Sequence, residues 1–264
     1  MTIGATKEER DRFKKSKYVQ ANTGPIYQNV KKRLEKGQIV LFTGVPCQVS
    51  ALKLFLGKEY GNLICVDILC HGIPSESVFK DYIHYKEKKK RKSVSKYNFR
   101  DRNPELGWKK TVFSAEYNDG TKEIMDSRFD YYFGLFYRNI AHRESCYSCM
   151  HKTKWRVGDI TLGDFWGVEK IYPQIDTYNG VSLLVVNSHK GAEVLNRISE
   201  SVSILPCNIV QELPQTMLDN NPVPKNRKAF FAMRRKYGFA FACFIHVFLF
   251  RLAMKMNLIK KNYR

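Results

Sequence analysis

Residues 38–70 read QIVLFTGVPCQVSALKLFLGKEYGNLICVDILC, and this stretch decides the fold. Gln38–Phe42 is a short run of β-forming residues, Thr43–Pro46 is a Gly/Pro loop, and Gln48–Leu56 carries the apolar face of a helix. Asn62–Leu69 is a second apolar strand. Strand, helix and strand in that order make a βαβ unit, whose strands should lie parallel and adjacent through a right-handed crossover. Cys47 then opens the helix and Cys70 ends the second strand, so both should emerge at the carboxyl edge of the sheet, where open α/β sheets bind ligands. A helix N-terminus also stabilises a thiolate through its dipole and free N–H groups. The alternative for either cysteine is a small buried residue capping a strand. Cys65, in mid-strand among apolar neighbours, belongs to the core.

Upstream, Ile26, Val30 and Leu34 follow helical spacing and Gly37 supplies a stop, whereas residues 1–25 read as a polar lead-in. Downstream, Ser75 can cap a helix carrying Val78, Phe79, Tyr82 and Ile83 on one face. An antiparallel insertion starts at Tyr97–Asp101 and continues as Thr111–Tyr117 and Lys122–Asp126 around the turn Asn118-Asp119-Gly120. Between its strands, Arg100-Asp101-Arg102 through Gly107-Trp108 is charged and then aromatic, and either meets a ligand or is a surface loop stapled by Trp108. The aromatics of Phe129–Ile140 at helical spacing are core. Val181–Asn187, Gly191–Ile198 and Val202–Leu205 again read strand, helix, strand. The expected class is α/β, a βαβ-containing mixed sheet with an antiparallel hairpin insertion and a helical C-terminal tail. Its parts are the lead-in, a body over 26–219, and a separable basic helical tail over 220–264 after the linker NNPVP.

The 264 residues carry 45 Lys and Arg against 25 Asp and Glu, a formal net charge of +20. That balance favours acidic partners, namely nucleic acid, an anionic membrane face, or a negatively charged cofactor or protein, or else is a solvated basic surface. Among these, nucleic acid is disfavoured, because the densest run, Lys86–Lys92, has no interleaved aromatics and reads as the solvated end of a helix. The opening residues show no apolar signal core, which points to a reducing cytoplasm and to seven cysteines as thiols or ligands rather than disulfides. Phe239–Phe250 is apolar but too short to span a bilayer. It reads as a helix packed on the body or on a partner, and with Arg251, Lys255, Lys260 and Lys261 behind it peripheral membrane contact is a second option.

The densest chemistry is at residues 145–167, SCYSCMHKTKWRVGDITLGDFWG. Cys146 and Cys149 form a C-x-x-C pair, able to turn two thiolates toward one metal or cluster or to act as a dithiol couple. If the pair folds back on the edge carrying Cys47 and Cys70, four thiolates converge, which suits tetrahedral zinc or a [4Fe–4S] cluster. Zinc ribbons usually present two short knuckles and only one is visible, so the cluster is the better fit. Arg143 and Arg156 bracket the pair and would stabilise a reduced, negatively charged cluster. Gly163-Asp164-Phe165-Trp166-Gly167 permits close backbone approach beside a flat ring, or is an ordinary glycine turn with a core Trp. His71 can touch a cofactor or bond to its own turn.

The strings FTGVPCQVSALK, VDILCHGIPS, RESCYSCMHK, DITLGDFWG and GVSLLVVNSHKG, in this order, resemble the C-terminal domain of the coenzyme F420 hydrogenase/dehydrogenase beta-subunit family, from about Ser16 to Ile198. The resemblance implies an oxidoreductase, an iron–sulfur flavoprotein with a [4Fe–4S] cluster and FAD. It would pass electrons between a ferredoxin-like or other iron–sulfur partner and a flavin that exchanges hydride with coenzyme F420 or another small redox substrate. Cluster ligation carries over onto Cys47, Cys70, Cys146 and Cys149. Thr43, Gly44, Gln48 and His71 are the expected contacts to flavin or to the cluster surroundings. Many relatives begin with a ferredoxin domain and a further segment before the SKYVQ string, and this chain has neither. A single cluster is therefore expected, with part of the flavin site supplied by a partner chain. The rival class is a non-enzymatic zinc-binding scaffold or nucleic-acid module with a basic surface.

Overall fold

A computed structural model describes residues 1–101, 107, 112–207, 218–249 and 252. The expected loop residues Arg102 and Trp108, and the tail residues Arg251, Lys255, Lys260 and Lys261, lie outside the described residues. Contacts divide the chain into two compact units.

The first unit comprises residues 1–12, 21–71 and 148–220. Its elements, numbered along the whole chain, are α1 (Lys7–Asp11), α2 (Ile26–Glu35), β1 (Val40–Gly44), α3 (Pro46–Leu56), β2 (Leu63–Ile68), β6 (Ile160–Asp164), α6 (Val168–Ile171), β7 (Ser182–Val186) and α7 (His189–Ile198). The strands form one mixed sheet in the order β1-β2-β6-β7. β1, β2 and β6 run parallel and β7 returns antiparallel. The βαβ unit expected from residues 38–70 is present, with β1 two residues later than the apolar run suggested. Pro46 supplies the first helical residue of α3, a position that needs no N–H and suits its fixed φ. Val30 and Leu34 of α2, Val49, Leu52 and Leu56 of α3, and Phe42, Leu63 and Cys65 of the sheet bury one another as a continuous core. Burial pushes the Cys65 thiol up to about 11, as an inert core residue requires. The expected strand at Val202–Leu205 does not form; its residues are exposed and join none of the described strands.

The second unit comprises residues 13–20, 72–147 and 221–264. Its elements are α4 (Glu76–Lys90), β3 (Val94–Asp101), β4 (Val112–Tyr117), β5 (Lys122–Asp126), α5 (Tyr131–Tyr137), α8 (Arg227–Tyr237) and α9 (Phe239–Cys243), which continues as a π-helical turn over Phe244–Leu249. β3, β4 and β5 form an antiparallel meander. Its second hairpin turns at Gly120, whose φ of 82° is the left-handed conformation that glycine accepts most readily. Tyr82 and Val78 of α4 and Tyr132, Phe133 and Leu135 of α5 are fully buried together. Asp130 caps α5 by accepting from the Phe133 N–H at 3.1 Å and also accepts from the Tyr82 hydroxyl at 2.7 Å. Burial raises the Asp130 carboxyl pKa.

One expectation changes here. Lys86, the first lysine of the Lys86–Lys92 run, is buried, with Nζ 2.7 Å from a Glu123 carboxylate oxygen and 4.6 Å from the centre of the Phe113 ring. Only the later part of that run is a solvated helix end. The described part of the tail, moreover, is built into this unit's core: Phe230, Ala242, Cys243 and Val247 are fully buried among the α4 and α5 aromatics.

His246, inside this core segment, is 8% exposed, with its Nδ1 3.4 Å from Asn226 Nδ2. Its main-chain carbonyl accepts from the Arg138 guanidinium. Burial first, and Arg138 second, hold its pKa below the ordinary histidine value of 6.5. The unfolded chain therefore binds a proton that the folded chain resists. Stability is full above the unfolded pKa and falls as pH drops below it, levelling off once the folded pKa is passed. Urea midpoints measured between about pH 7.5 and pH 5.5 should fall on acidification, and less so in His246→Phe. Equal slopes in the two proteins would assign the acid sensitivity elsewhere.

Candidate functional site

Three parallel strands deliver their ends to one edge of the first unit's sheet. β1 ends in Thr43-Gly44 and leads through Val45 and Pro46 to Cys47, the second residue of α3. β2 ends at Ile68, so Leu69, Cys70 and His71 leave the same edge. β6 ends at Asp164, followed by Phe165, Trp166 and Gly167. Cys47 and Thr43 are exposed, and Gly44, Cys70 and His71 are half-buried. Tyr27 lies over this corner: its hydroxyl donates to the Gln48 carbonyl at 3.1 Å, and burial first, then the neighbouring Cys47 thiolate charge, raise its pKa.

Gln48 has a local task. Its Oε1 accepts from the Val45 N–H at 3.2 Å, satisfying one of the donors a helix N-terminus leaves open. A Cβ on Gly44 would stand 3.2 Å from that same oxygen and 3.3 Å from the Phe42 ring, so the glycine lets the strand end pass close to the cap. Gly163 similarly serves packing, since a Cβ there would strike the Leu69 side chain at 2.7 Å. In the following turn Phe165 is the core residue, 4% exposed, while Trp166 is 42% exposed. Trp166 thus presents an aromatic surface at the edge.

Beneath the edge lies an ion pair that residue patterning did not anticipate. Asp67, fully buried in β2, receives the Arg156 guanidinium at 3.0 Å on Oδ1 and the Gly158 N–H at 3.0 Å on Oδ2. Arg156 also donates to the carbonyls of Ile68 at 3.0 Å and His151 at 3.1 Å. It thereby holds the segment just after Cys149 to the strand end just before Cys70. A Cβ on Gly158 would sit 2.8 Å from the Asp67 backbone nitrogen, so only glycine permits this approach. Asn187 extends the network, donating to Thr161 Oγ1 and the Gly158 carbonyl. Asp159 accepts from the Cys65 N–H and from the Ser188 hydroxyl, both at 2.7 Å. An acidic residue inside the apolar run NLICVDIL was the signal available in the sequence, because a buried carboxylate demands a partner. Arg156 is consequently committed to Asp67 rather than left to neutralise a ligand, and Arg143 is exposed to solvent.

The boundary between the units falls inside the C-x-x-C pair. Cys149 belongs to the first unit, where its N–H donates to Asn220 Oδ1 at 2.9 Å and Lys152 donates to the Asp219 carbonyl. Cys146 belongs to the second unit, ending the 3-10 turn Glu144–Cys146 with its Sγ 4.0 Å from the Ile73 carbonyl. In that unit the turn after His71 packs tightly, since a Cβ on Gly72 would lie 2.8 Å from Nδ1 of the buried His142. All seven cysteines are thiols rather than disulfides. The donor set is right in kind for a thiolate-held metal or cluster. Among the described residues, however, no group of three or more His, Cys, Asp or Glu side chains is gathered to hold a metal ion. A surface cavity of about 370 Å³ is lined by Asn29, Lys32, Arg33, Lys36, Gln38 and Ile3. Gln38 precedes β1, so this cavity lies at the amino edge, opposite Cys47 and Cys70.

Comparison with known proteins places this edge in context. The profile of the family described as the C terminus of the coenzyme F420 hydrogenase/dehydrogenase beta subunit matches residues 37–211, a span that includes Cys47, Cys70, Cys146 and Cys149. Among solved structures, a chain from the F420-reducing nickel–iron hydrogenase complex of Methanosarcina barkeri, derivatised with xenon, is similar at 15% identity. The likeness covers 89% of this chain and 75% of that one, with a TM-score of 0.47. No curated protein matches the chain.

Proposed function

We propose, on the premise that this chain belongs to the family formed by the C-terminal part of coenzyme F420 hydrogenase/dehydrogenase beta subunits, that it is an electron-transfer domain working with partner proteins. Cys47, Cys70, Cys146 and Cys149 would be its cluster ligands and the β1 and β2 ends its flavin-facing surface. The observation that carries this reading is the delivery of Cys47, Cys70-His71 and Asp164–Gly167 to one carboxyl edge by three parallel strands, the edge at which such sheets bind ligands.

When bound, a [4Fe–4S] cluster would supply one-electron transfer and FAD the coupling of single electrons to hydride exchange with coenzyme F420 or another small redox substrate. The chain's own residues would do the rest. The α3 N-terminus favours the thiolate form of Cys47 through its dipole. Arg156 holds the His151 and Ile68 carbonyls together, which sets the path of the chain on either side of Cys149 and Cys70. Trp166 offers a flat apolar face where a planar ring can rest. Thr43, Gly44 and His71 would meet the cofactor at the strand ends, and Gln48 would act by holding the Val45–Cys47 turn. The excess of basic residues suits an acidic electron donor.

The test is an anaerobic absorption spectrum of freshly purified protein, with iron, sulfide and flavin quantified on the same sample. A broad thiolate-to-iron band with about four iron per chain, lost in Cys146→Ser, is the expected result. Released FAD would extend it to the flavin. Zinc with no visible absorbance, or a spectrum unchanged in Cys146→Ser, would overturn the ligand assignment.

A further inference from the structure

The C-terminal helical segment of the second unit is apolar on both sides. Phe239, Ala242, Cys243, His246 and Val247 are buried in the core. The opposite side exposes Tyr237 at 56%, Phe241 at 45%, Phe244 at 41%, Phe248 at 46% and Leu249 at 38%. These residues form a continuous set: the Tyr237 and Phe241 rings lie 5.1 Å apart, and those of Phe244 and Phe248 stack at 5.3 Å. A helix that is hydrophobic all round is ordinarily covered all round, and clustered exposed aromatics mark a contact surface.

The charge around the stripe indicates what covers it. From Asn220 to the C-terminus the sequence holds eleven Lys or Arg and no Asp or Glu, more than half of the chain's formal net charge of +20. In the last turn of α8, Arg234 is paired with Asp81 at 2.7 Å, while Arg235 and Lys236 are exposed beside Tyr237. Over Phe239–Leu249 the one polar side chain is His246, which faces inward. A protein–protein interface carries about one hydrogen bond per 100–200 Å² and a rim of mixed polarity. This surface offers an aromatic centre whose one hydrogen-bonding side chain is the Tyr237 hydroxyl, next to the exposed cations Arg235 and Lys236. That is the composition of an element lying in the interfacial plane of an anionic bilayer, with rings at headgroup level and lysines and arginines on the phosphates. Among the described residues no helix is long and apolar enough to cross a membrane, so the contact would be peripheral.

We infer that the stripe formed by Tyr237, Phe241, Phe244, Phe248 and Leu249, with the basic residues flanking it, docks this protein on the surface of an anionic phospholipid membrane.

The experiment is flotation of the full chain with vesicles of phosphatidylcholine alone or with about 30 mol% phosphatidylserine. Binding to the anionic vesicles should exceed binding to neutral ones by about tenfold and weaken several-fold as salt rises from about 0.05 to 0.5 M. Replacing Phe241, Phe244 and Phe248 together by Ser should lower it by at least about tenfold. Arg235→Gln with Lys236→Gln should weaken it about tenfold on anionic vesicles only. The salt series and the Arg235/Lys236 variant leave the aromatic face intact, so the test does not hinge on whether the triple variant folds. A wild-type protein that stays with the buffer, or floats equally with both vesicles at all salt concentrations, overturns the inference. Loss of self-association in the serine variant, with no vesicle binding by wild type, would assign the stripe to a protein contact instead.

Discussion

Replacing Arg156 with Met is expected to lower the unfolding free energy by about 3–5 kcal/mol, because it leaves the Asp67 carboxylate buried without its counter-charge. Asp67 is fully buried and the Arg156 side chain is 4% exposed, so water cannot replace the bond between them. The substitution also releases the Ile68 and His151 carbonyls, which lie at exposed and half-buried positions, so their loss adds less than the stranded carboxylate does. Asp67→Asn keeps a single acceptor oxygen, for the guanidinium or for the Gly158 N–H but not for both, and turns its NH2 on the other donor, so it too should destabilise. In the double variant Asp67→Leu with Arg156→Met no unpaired charge remains. Its stability should recover part of the loss, giving a coupling energy of about 1–3 kcal/mol in a double-mutant cycle. Urea denaturation of wild type, Arg156→Met, Asp67→Leu and the double variant measures this directly. A single-variant loss below about 1 kcal/mol would mean that the pair is solvated and does not organise the sheet edge.

Phe230→Ala should cost about 3–5 kcal/mol, the range for deleting a fully buried aromatic ring in a core that cannot collapse around the gap. Phe230 is 0% exposed and belongs to the same cluster as Tyr82, Tyr132 and Phe133. Arg227 and Arg234 hold α8 in place around it. Arg227 donates to the Ile140 carbonyl at 2.9 Å, and Arg234 donates to Asp81 at 2.7 Å and to the Ser77 carbonyl at 3.0 Å. Lys228→Ala, on the solvent side of the same helix, should change stability by no more than about 0.5 kcal/mol. If the two substitutions behaved alike, α8 would be an appendage after all.

The fold of the first unit was legible because its signals are local. The β-rich run, the loop ending in Pro46 and the helical face of Val49, Leu52 and Leu56 each follow from a few neighbouring residues. Chain connectivity then forces a parallel pair and puts Cys47 and Cys70 on one edge. The strand boundaries moved because Thr43 and Gly44 obey the β1–β2 ladder as readily as the loop chemistry that they suggest. At Val202–Leu205, β-forming side chains found no ladder to join, and strand propensity alone does not satisfy a backbone.

By itself, the sequence determined the α/β class, the βαβ unit, the hairpin turning at Gly120, the burial of Cys65 and the family to which the chain belongs. Each rests on local periodicity, turn chemistry or motif order. Only the tertiary structure decided that Arg156 serves Asp67, that Lys86 lies buried against Glu123 and Phe113, that Phe165 rather than Trp166 enters the core, and that Phe230 seals the second unit. The physical reason is the same in each case. Whether a charge is paired depends on a residue 37 positions away for Lys86 and Glu123 or 89 for Asp67 and Arg156, whether a ring is buried depends on a cluster gathered from separate elements, and no local pattern encodes which distant side chain will arrive.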